Sequence, residues 1–243
     1  MVRKTIIAIV LTIFTLSLTA CSSGDEQPQS LVIHATDETL VEMIASGEIP
    51  HDVTDLHLMG GITDVSPLSE LTDLRRLNVS VNQITDITPI GELTNLEYLC
   101  LADINNNGQL SDISPLGELI NLEILYLAGN QISDISSLTE LNNLKEISLA
   151  NNKIKDISPL SGLTNLEVAY LNHNQITDVS HLSELTNLYS LDLTYNQIND
   201  ISPLNGLINL TGLGLEGNPI DTGQIKTIRE TLSNKCLVSF DDD

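Results

Sequence analysis

Apolar residues recur along this chain with a spacing that fits neither an amphipathic helix nor a hairpin. The text L-x-x-L-x-L, with Val, Ile or Ala at some positions, starts at Val53, Leu74, Leu96, Leu122, Leu144, Leu166, Leu188 and Leu210. Strand side chains alternate, so the fourth and sixth residues of each copy share one face and the third, fifth and seventh share the other. After each strand comes a second fixed element, seen in LEVAYLNHNQITDVS from Leu166. Its aspartate recurs as Asp64, Asp86, Asp112, Asp134, Asp156, Asp178 and Asp200, every 22 residues with one interval of 26. Units that cannot bury their apolar face alone do so by stacking. About sixteen residues per coil remain for the return path. That is too short for a helix with two corners and predicts a 3₁₀ segment.

Polar residues punctuate the same period. Ser66-Pro67, Thr88-Pro89, Ser114-Pro115, Ser158-Pro159 and Ser202-Pro203 mark the expected helical turns. Ser or Thr is expected to cap them, with Pro at their first position. One file of asparagines follows the strands (Asn82, Asn130, Asn152, Asn174, Asn196 and Asn218). A second precedes them (Asn95, Asn121, Asn143, Asn165, Asn187 and Asn209). An amide offers donor and acceptor together, so both files read as hydrogen-bonding for inward-turning backbone. Solenoid ends need covers. Thr36 opens a helix over 36–46 with Leu40, Met43 and Ile44 on one face. Ile225, Ile228 and Leu232 mark another, followed by apolar Cys236, Leu237 and Val238. The organisation reads as leader 1–20, flexible tether 21–30, N-terminal cap 31–52, eight repeats over 53–220, and C-terminal cap and tail 221–243.

The repeat resembles leucine-rich repeats, specifically the 22-residue class of bacterial internalins, over most of the chain after the leader. The resemblance implies an α/β solenoid: a right-handed superhelix with a concave parallel sheet, 3₁₀ turns on the convex side and helical caps. It also implies a non-catalytic binding module whose ligand is a host or envelope protein. No wall-sorting segment follows the C-terminal cap, which weakens the extension to host invasion.

The first residues read as an address. Arg3 and Lys4 precede an apolar run over 6–18, too short for a bilayer span of about 20 residues. The run ends in Leu18-Thr19-Ala20-Cys21, which resembles the lipobox of bacterial lipoproteins. By that resemblance Cys21 is acylated and becomes the N-terminus, holding the chain to the extracytoplasmic face of the cell membrane, at the cell surface. Cys100 and Cys236 fall in different coils. Stacking keeps them beyond the ~7 Å that a disulfide allows, so both are expected as thiols.

Charge narrows the function. Thirty-three acids against 10 bases leave a net charge of -23. Nucleic-acid binding, which rests on clustered Lys and Arg, is excluded. The chain reads as no enzyme, with no cofactor and no metal centre. A literal G-x-G-x-x-G at Gly212, Gly214 and Gly217 lies inside the eighth strand motif rather than at a helix start. His51 and His57 flank Asp55 but read as solvated or capping residues. The 26-residue interval contains Asp103, Asn105, Asn107 and Gly108 at the spacing of a calcium loop, yet Ser114 stands where a bidentate Glu is needed. A tolerated insertion is the first reading there, and weak calcium binding the second. The Asp file is expected to accept backbone N–H bonds at its own turns. The Glu row (Glu70, Glu92, Glu118, Glu140 and Glu184) is expected to be solvated.

The outward sheet files carry the candidate site. The third-position file runs Asp55, Arg76, Tyr98, Ile124, Glu146, Val168, Ser190, Gly212. The fifth runs His57, Asn78, Cys100, Tyr126, Ser148, Tyr170, Asp192, Gly214, and the seventh is mostly small. Three of the 5 tyrosines therefore share this face, with Ile124 and Val168 expected exposed beside them. Aromatic anchors in one patch point to binding. Tyr98, Ile124, Tyr126, Val168 and Tyr170 are the expected contacts for a protein or peptide ligand of a monomeric chain. The alternative is a scaffold lipoprotein of the envelope without a dedicated ligand.

Overall fold

The computed structural model describes residues 30–103, 105, 108–232 and 236–240. The leader, Cys21 and nearly all of the tether lie outside the described residues. Each repeat contributes one strand: β2 (Asp55–Met59), β3 (Arg76–Asn78), β4 (Tyr98–Cys100), β5 (Ile124–Tyr126), β6 (Glu146–Ser148), β7 (Val168–Tyr170), β8 (Ser190–Asp192) and β9 (Gly212–Gly214). Two more strands extend the expected eight. β1 (Leu31–His34) precedes the first repeat, and β10 (Leu237–Ser239) follows the last. All pair in parallel and in chain order, forming an open sheet of ten strands. The end strands were not legible as such because each is defined by its pairing with a repeat strand, Leu31 with Leu56 and Leu237 with Gly212.

The strand phase follows the alternation. Leu77, Leu99, Leu125, Ile147, Ala169, Leu191 and Leu213 fill the core from the fourth position, and Val79, Leu101, Leu127, Leu149, Leu171, Leu193 and Leu215 from the sixth. All are buried, and each large aliphatic side chain among them contributes about 1.5–3 kcal/mol. Gly212–Gly214 is strand, as the repeat register demands.

Among the described residues, seven 3₁₀ turns, from Ser66–Glu70 to Ser202–Gly206, line the other side. Their caps differ from expectation. No Ser or Thr side chain caps the turn that it opens. Instead the aspartate two residues earlier accepts the N–H: Ser66 N donates to Asp64 Oδ1 at 2.8 Å, Thr88 to Asp86 at 2.9 Å and Ser202 to Asp200 at 2.9 Å. An Asx geometry reaches the N–H two residues on, whereas the Ser and Thr hydroxyls donate back to their Asp partners. Those bonds hold the Asp86, Asp112, Asp134, Asp156, Asp178 and Asp200 carboxyls below their ordinary range.

The first asparagine file is a ladder between coils. Asn152 Nδ2 donates to Leu127 O and Leu149 O, while its Oδ1 accepts from Ile132 N at 3.0 Å. Asn82, Asn174, Asn196 and Asn218 repeat the pattern. The second file donates to the preceding coil, as Asn143 does to Ile120 O at 2.9 Å. The 26-residue coil interrupts the ladder. Gly108 stands at the ladder position, and a Cβ there would lie 2.2 Å from Asn130 Oδ1 and 2.7 Å from Gly129 O. Close packing on the next coil thus accounts for that glycine. Asn107 lies outside the described residues.

The N-terminal cap is α1 (Asp37–Ala45), opened by Thr36 in a reciprocal capping box with Thr39 and burying Leu40 and Ile44. Asp37 ties it to the first coil by accepting from Thr63 N at 2.8 Å and Asp64 N at 3.1 Å. At the other end, α2 (Thr222–Thr231) buries Ile225 and Ile228 against the last coil.

Candidate functional site

Parallel pairing in one register turns the outward residues into straight files. Asp55, Arg76, Tyr98, Ile124, Glu146, Val168, Ser190 and Gly212 are successive partners across the sheet. So are His57, Asn78, Cys100, Tyr126, Ser148, Tyr170, Asp192 and Gly214. The face expected from the sequence is therefore assembled, and it brings Tyr98, Ile124, Tyr126, Val168 and Tyr170 together.

The patch is less open than expected. Tyr98, Tyr126 and Val168 are each 5% exposed and Tyr170 is 7% exposed, and only Ile124 is intermediate. Neighbouring side chains account for much of this. Tyr98 and Tyr126 meet edge to face with ring centroids 5.8 Å apart, a favourable arrangement of aromatic quadrupoles. The Arg76 guanidinium lies 4.3 Å from the Tyr98 ring centre, and its Nε is 3.4 Å from Asp55 Oδ2. Cys100 and Ala102 complete a small cluster against Ile124 and Ala128. Cys236 is a free cysteine, half-buried in the C-terminal cap, and Cys100 is fully buried within the Tyr98 cluster.

Acidic groups enter the same face, and the sequence reading did not single them out as a site. Tyr126 donates its hydroxyl to Glu146 Oε1 at 2.7 Å. Burial raises the Glu146 carboxyl above its ordinary range, although that hydrogen bond opposes the shift. Asp192, beside Tyr170 in the fifth file, is also raised by burial, against the N–H of Thr194 at 3.0 Å. Burial chiefly pushes the Tyr170 phenol up to about 12, and both carboxylates add to the shift. Tyr98 likewise is pushed up to about 12, chiefly by burial. Ser148 follows Glu146 on β6, and Asn172 follows Tyr170 beyond β7. They are 1% and 2% exposed, and Ser148 Oγ and Asn172 Oδ1 have no hydrogen-bond partner. At the rim, His173 and Tyr195 stack with ring centres 4.4 Å apart.

Elsewhere the surface offers less. A cavity of about 220 Å³ between the last 3₁₀ turn and α2 is lined by Ile201, Asn205, Asp221, Gln224 and Thr227. Its polar groups serve the cap: Asp221 accepts from Gly223 N, and Gln224 bonds Ile201 N and Asn199 O. His57 is half-buried in its file, and burial lowers its imidazole pKa. No group of His, Cys, Asp and Glu able to hold a metal occurs among the described residues.

A stacked parallel sheet, 3₁₀ returns and an asparagine ladder define a leucine-rich-repeat domain. The model of that family, two-copy Leucine Rich repeats, matches residues 72–118, 120–162 and 164–206, more than half of the chain. The chain belongs to the leucine-rich-repeat family, a family of typically non-enzymatic protein-interaction modules. Among solved structures it is similar to internalin C2 of Listeria monocytogenes, with 35% identity over 74% of this chain and 77% of that one, at a TM-score of 0.69. An internalin (inlF) of the same organism is 29% identical over 82% of this chain and 66% of that one, at a TM-score of 0.64. The Arabidopsis thaliana receptor-kinase ectodomain GASSHO1/SCHENGEN3, solved in complex with CASPARIAN STRIP INTEGRITY FACTOR 2, is 25% identical at a TM-score of 0.60. This chain covers 24% of that ectodomain. No curated protein matches.

Proposed function

We propose that this chain is an exported lipoprotein, acylated at Cys21 on the extracytoplasmic face of the cell membrane. Its solenoid binds a protein or peptide partner through the face carrying Tyr98, Ile124, Tyr126, Val168 and Tyr170. The observation that carries the binding reading is the register. Three tyrosines and two aliphatic side chains, scattered over 73 positions of sequence, thereby fall on β4, β5 and β7 of one face. Small side chains run alongside at Ala102, Ala128 and Ala150, leaving room for a partner's backbone. Internalin and receptor-ectodomain neighbours favour exposure outside the cell, and GASSHO1/SCHENGEN3 was solved in complex with CASPARIAN STRIP INTEGRITY FACTOR 2. No described helix is long and apolar enough to cross a membrane. The lipobox-like residues before Cys21 support anchoring by lipid.

Affinity capture from envelope extracts and from host-cell surface proteins tests the binding face. Ile124→Ser/Tyr170→Ser is expected to lose the captured partner, while the convex pair Glu118→Gln/Glu184→Gln keeps it. Thermal unfolding of each variant confirms the fold. Equal capture by all three proteins would sink this site. Intact-mass measurement of membrane-extracted protein, before and after Cys21→Ala, tests the anchor: the wild-type chain is expected to begin at Cys21 with acyl mass, and an unacylated chain refutes it.

A further inference from the structure

Of the five expected contacts, four are buried and only Ile124 is partly open. Two strands away in the same file stands Arg76, whose side chain is 35% exposed. It is the only Lys or Arg in the three outward files. Its two register neighbours fix its position. The guanidinium carbon lies 4.3 Å from the centre of the Tyr98 ring on β4, and Nε is 3.4 Å from Asp55 Oδ2 on β2. Ser30 holds Asp55 in turn, donating its hydroxyl to Oδ1 at 3.0 Å. A guanidinium carries five N–H donors in a planar fork. The Arg76 Nη groups donate to no described residue, so the outer part of that fork is free. A long side chain ordered before binding loses less freedom when a partner arrives. His57, two residues on from Asp55, is turned toward its neutral form by burial, which leaves Arg76 as the standing cation of this face.

We propose that Arg76 takes an acidic side chain, Asp or Glu, from the protein or peptide partner, while an apolar side chain of the same partner meets Ile124. The carboxylate accepts from the Nη groups, the planar match that makes Arg–carboxylate pairs strong and directional. Nε stays with Asp55, and Tyr98 backs the guanidinium. Strands lie ~4.8 Å apart, so the two contacts are roughly 10 Å apart, about three residues of an extended chain. The inference rests on the binding reading above and specifies the partner's chemistry. The net charge of -23 repels acidic partners at long range. The contact is therefore local, and physiological salt, which screens charges beyond about 8 Å, favours it over the field.

The probe is a library of random twelve-residue peptides, displayed with both ends joined to the carrier so that only side chains offer carboxylates. It is selected on the purified protein at physiological salt. The expected result is enrichment of peptides with an Asp or Glu at one shared position and an apolar residue about three positions away. Their affinity should fall about thirtyfold in Arg76→Gln, the loss typical of removing hydrogen bonds to a charged group. The control Arg75→Gln removes the same charge one residue earlier, where the side chain pairs with Glu97 outside the outward files, and should leave affinity within twofold. Replacing the shared acid by its amide should cost the same thirtyfold on the wild-type protein and nothing further on Arg76→Gln. An equal loss on both proteins would mean that the acid meets another group, and equal losses in Arg75→Gln and Arg76→Gln would reduce the effect to the general field; either result overturns the proposal. Selected peptides that need Ile124 and Tyr170 but share no acidic residue also overturn it, while leaving the binding face in place. If no selected peptide depends on Ile124 and Tyr170, the binding reading fails and this inference fails with it.

Discussion

One repeat position carries a backbone demand that the side chains do not all meet. Val81, Gly129, Asn151, His173, Tyr195 and Gly217 stand immediately before the ladder asparagines, and all have positive φ, between 54° and 77°. Gly adopts this region without penalty and Asn readily, whereas a β-branched residue is strained there. Val81, at φ 58° and exposed, is the least suited of the six. Its N–H donates to Ala102 O at 3.0 Å, so the conformation is held by the next coil. Val81→Asn should therefore stabilise the protein by about 1 kcal/mol, read as a higher urea midpoint at unchanged m-value. A lower midpoint would show that the valine stem contributes more than its strain costs. The alternation of core residues needed no such correction: Leu99, Leu125, Leu149 and Leu171 are all fully buried, as the strand spacing predicts.

At the level of the element, each coil's return depends on an ionised aspartate. The folded carboxyls of Asp37, Asp86, Asp112, Asp134, Asp156, Asp178 and Asp200 lie below their ordinary value of 3.8. The unfolded chain then binds protons more readily than the folded one. Their contribution to stability is complete above the ordinary value and is lost as pH falls through the lowered values. Glu146 and Asp192, whose values are raised, work in the opposite direction but are fewer. The melting temperature is expected to fall as pH drops below about 4. A flat profile would mean that the Asx bonds carry no net charge assistance. Which residue does the capping was misjudged from sequence for a geometric reason. Ser-Pro marks the start of the turn correctly, but the N–H that needs a partner belongs to the serine itself, and only a side chain two residues earlier reaches it.

Across the whole molecule, the same aspartates form a column of like charge. Neighbouring turns feel one another: Asp86 opposes ionisation of Asp112, and Asp112 and Asp156 both oppose that of Asp134. The 10 bases against 33 acids leave a net charge of -23, which ion pairs within the chain do not change. Screening this repulsion with salt should raise the melting temperature from low to physiological ionic strength. A fall over that range, measured at constant neutral pH, would show that attractive pairs outweigh the column. Stacking also sets what a partner can meet. Because every strand lies beside its sequence neighbour, the sheet face is a ruled surface, and its chemistry changes from the Arg76–Tyr98 end to the acidic Glu146–Asp192 end.

The repeat, its strand phase, the side on which the tyrosines fall and the capping helices were all legible in the order of residues. Each depends on alternation or capping within a few positions. Contacts between coils decided the rest: the pairing that makes strands of 31–34 and 237–239, the packing of Gly108 on Asn130, the closing of Tyr98 over Tyr126, and the bond from Tyr126 to Glu146. A residue's neighbours one coil away are some twenty positions distant in sequence, and only stacking sets how far their side chains leave each other open to solvent.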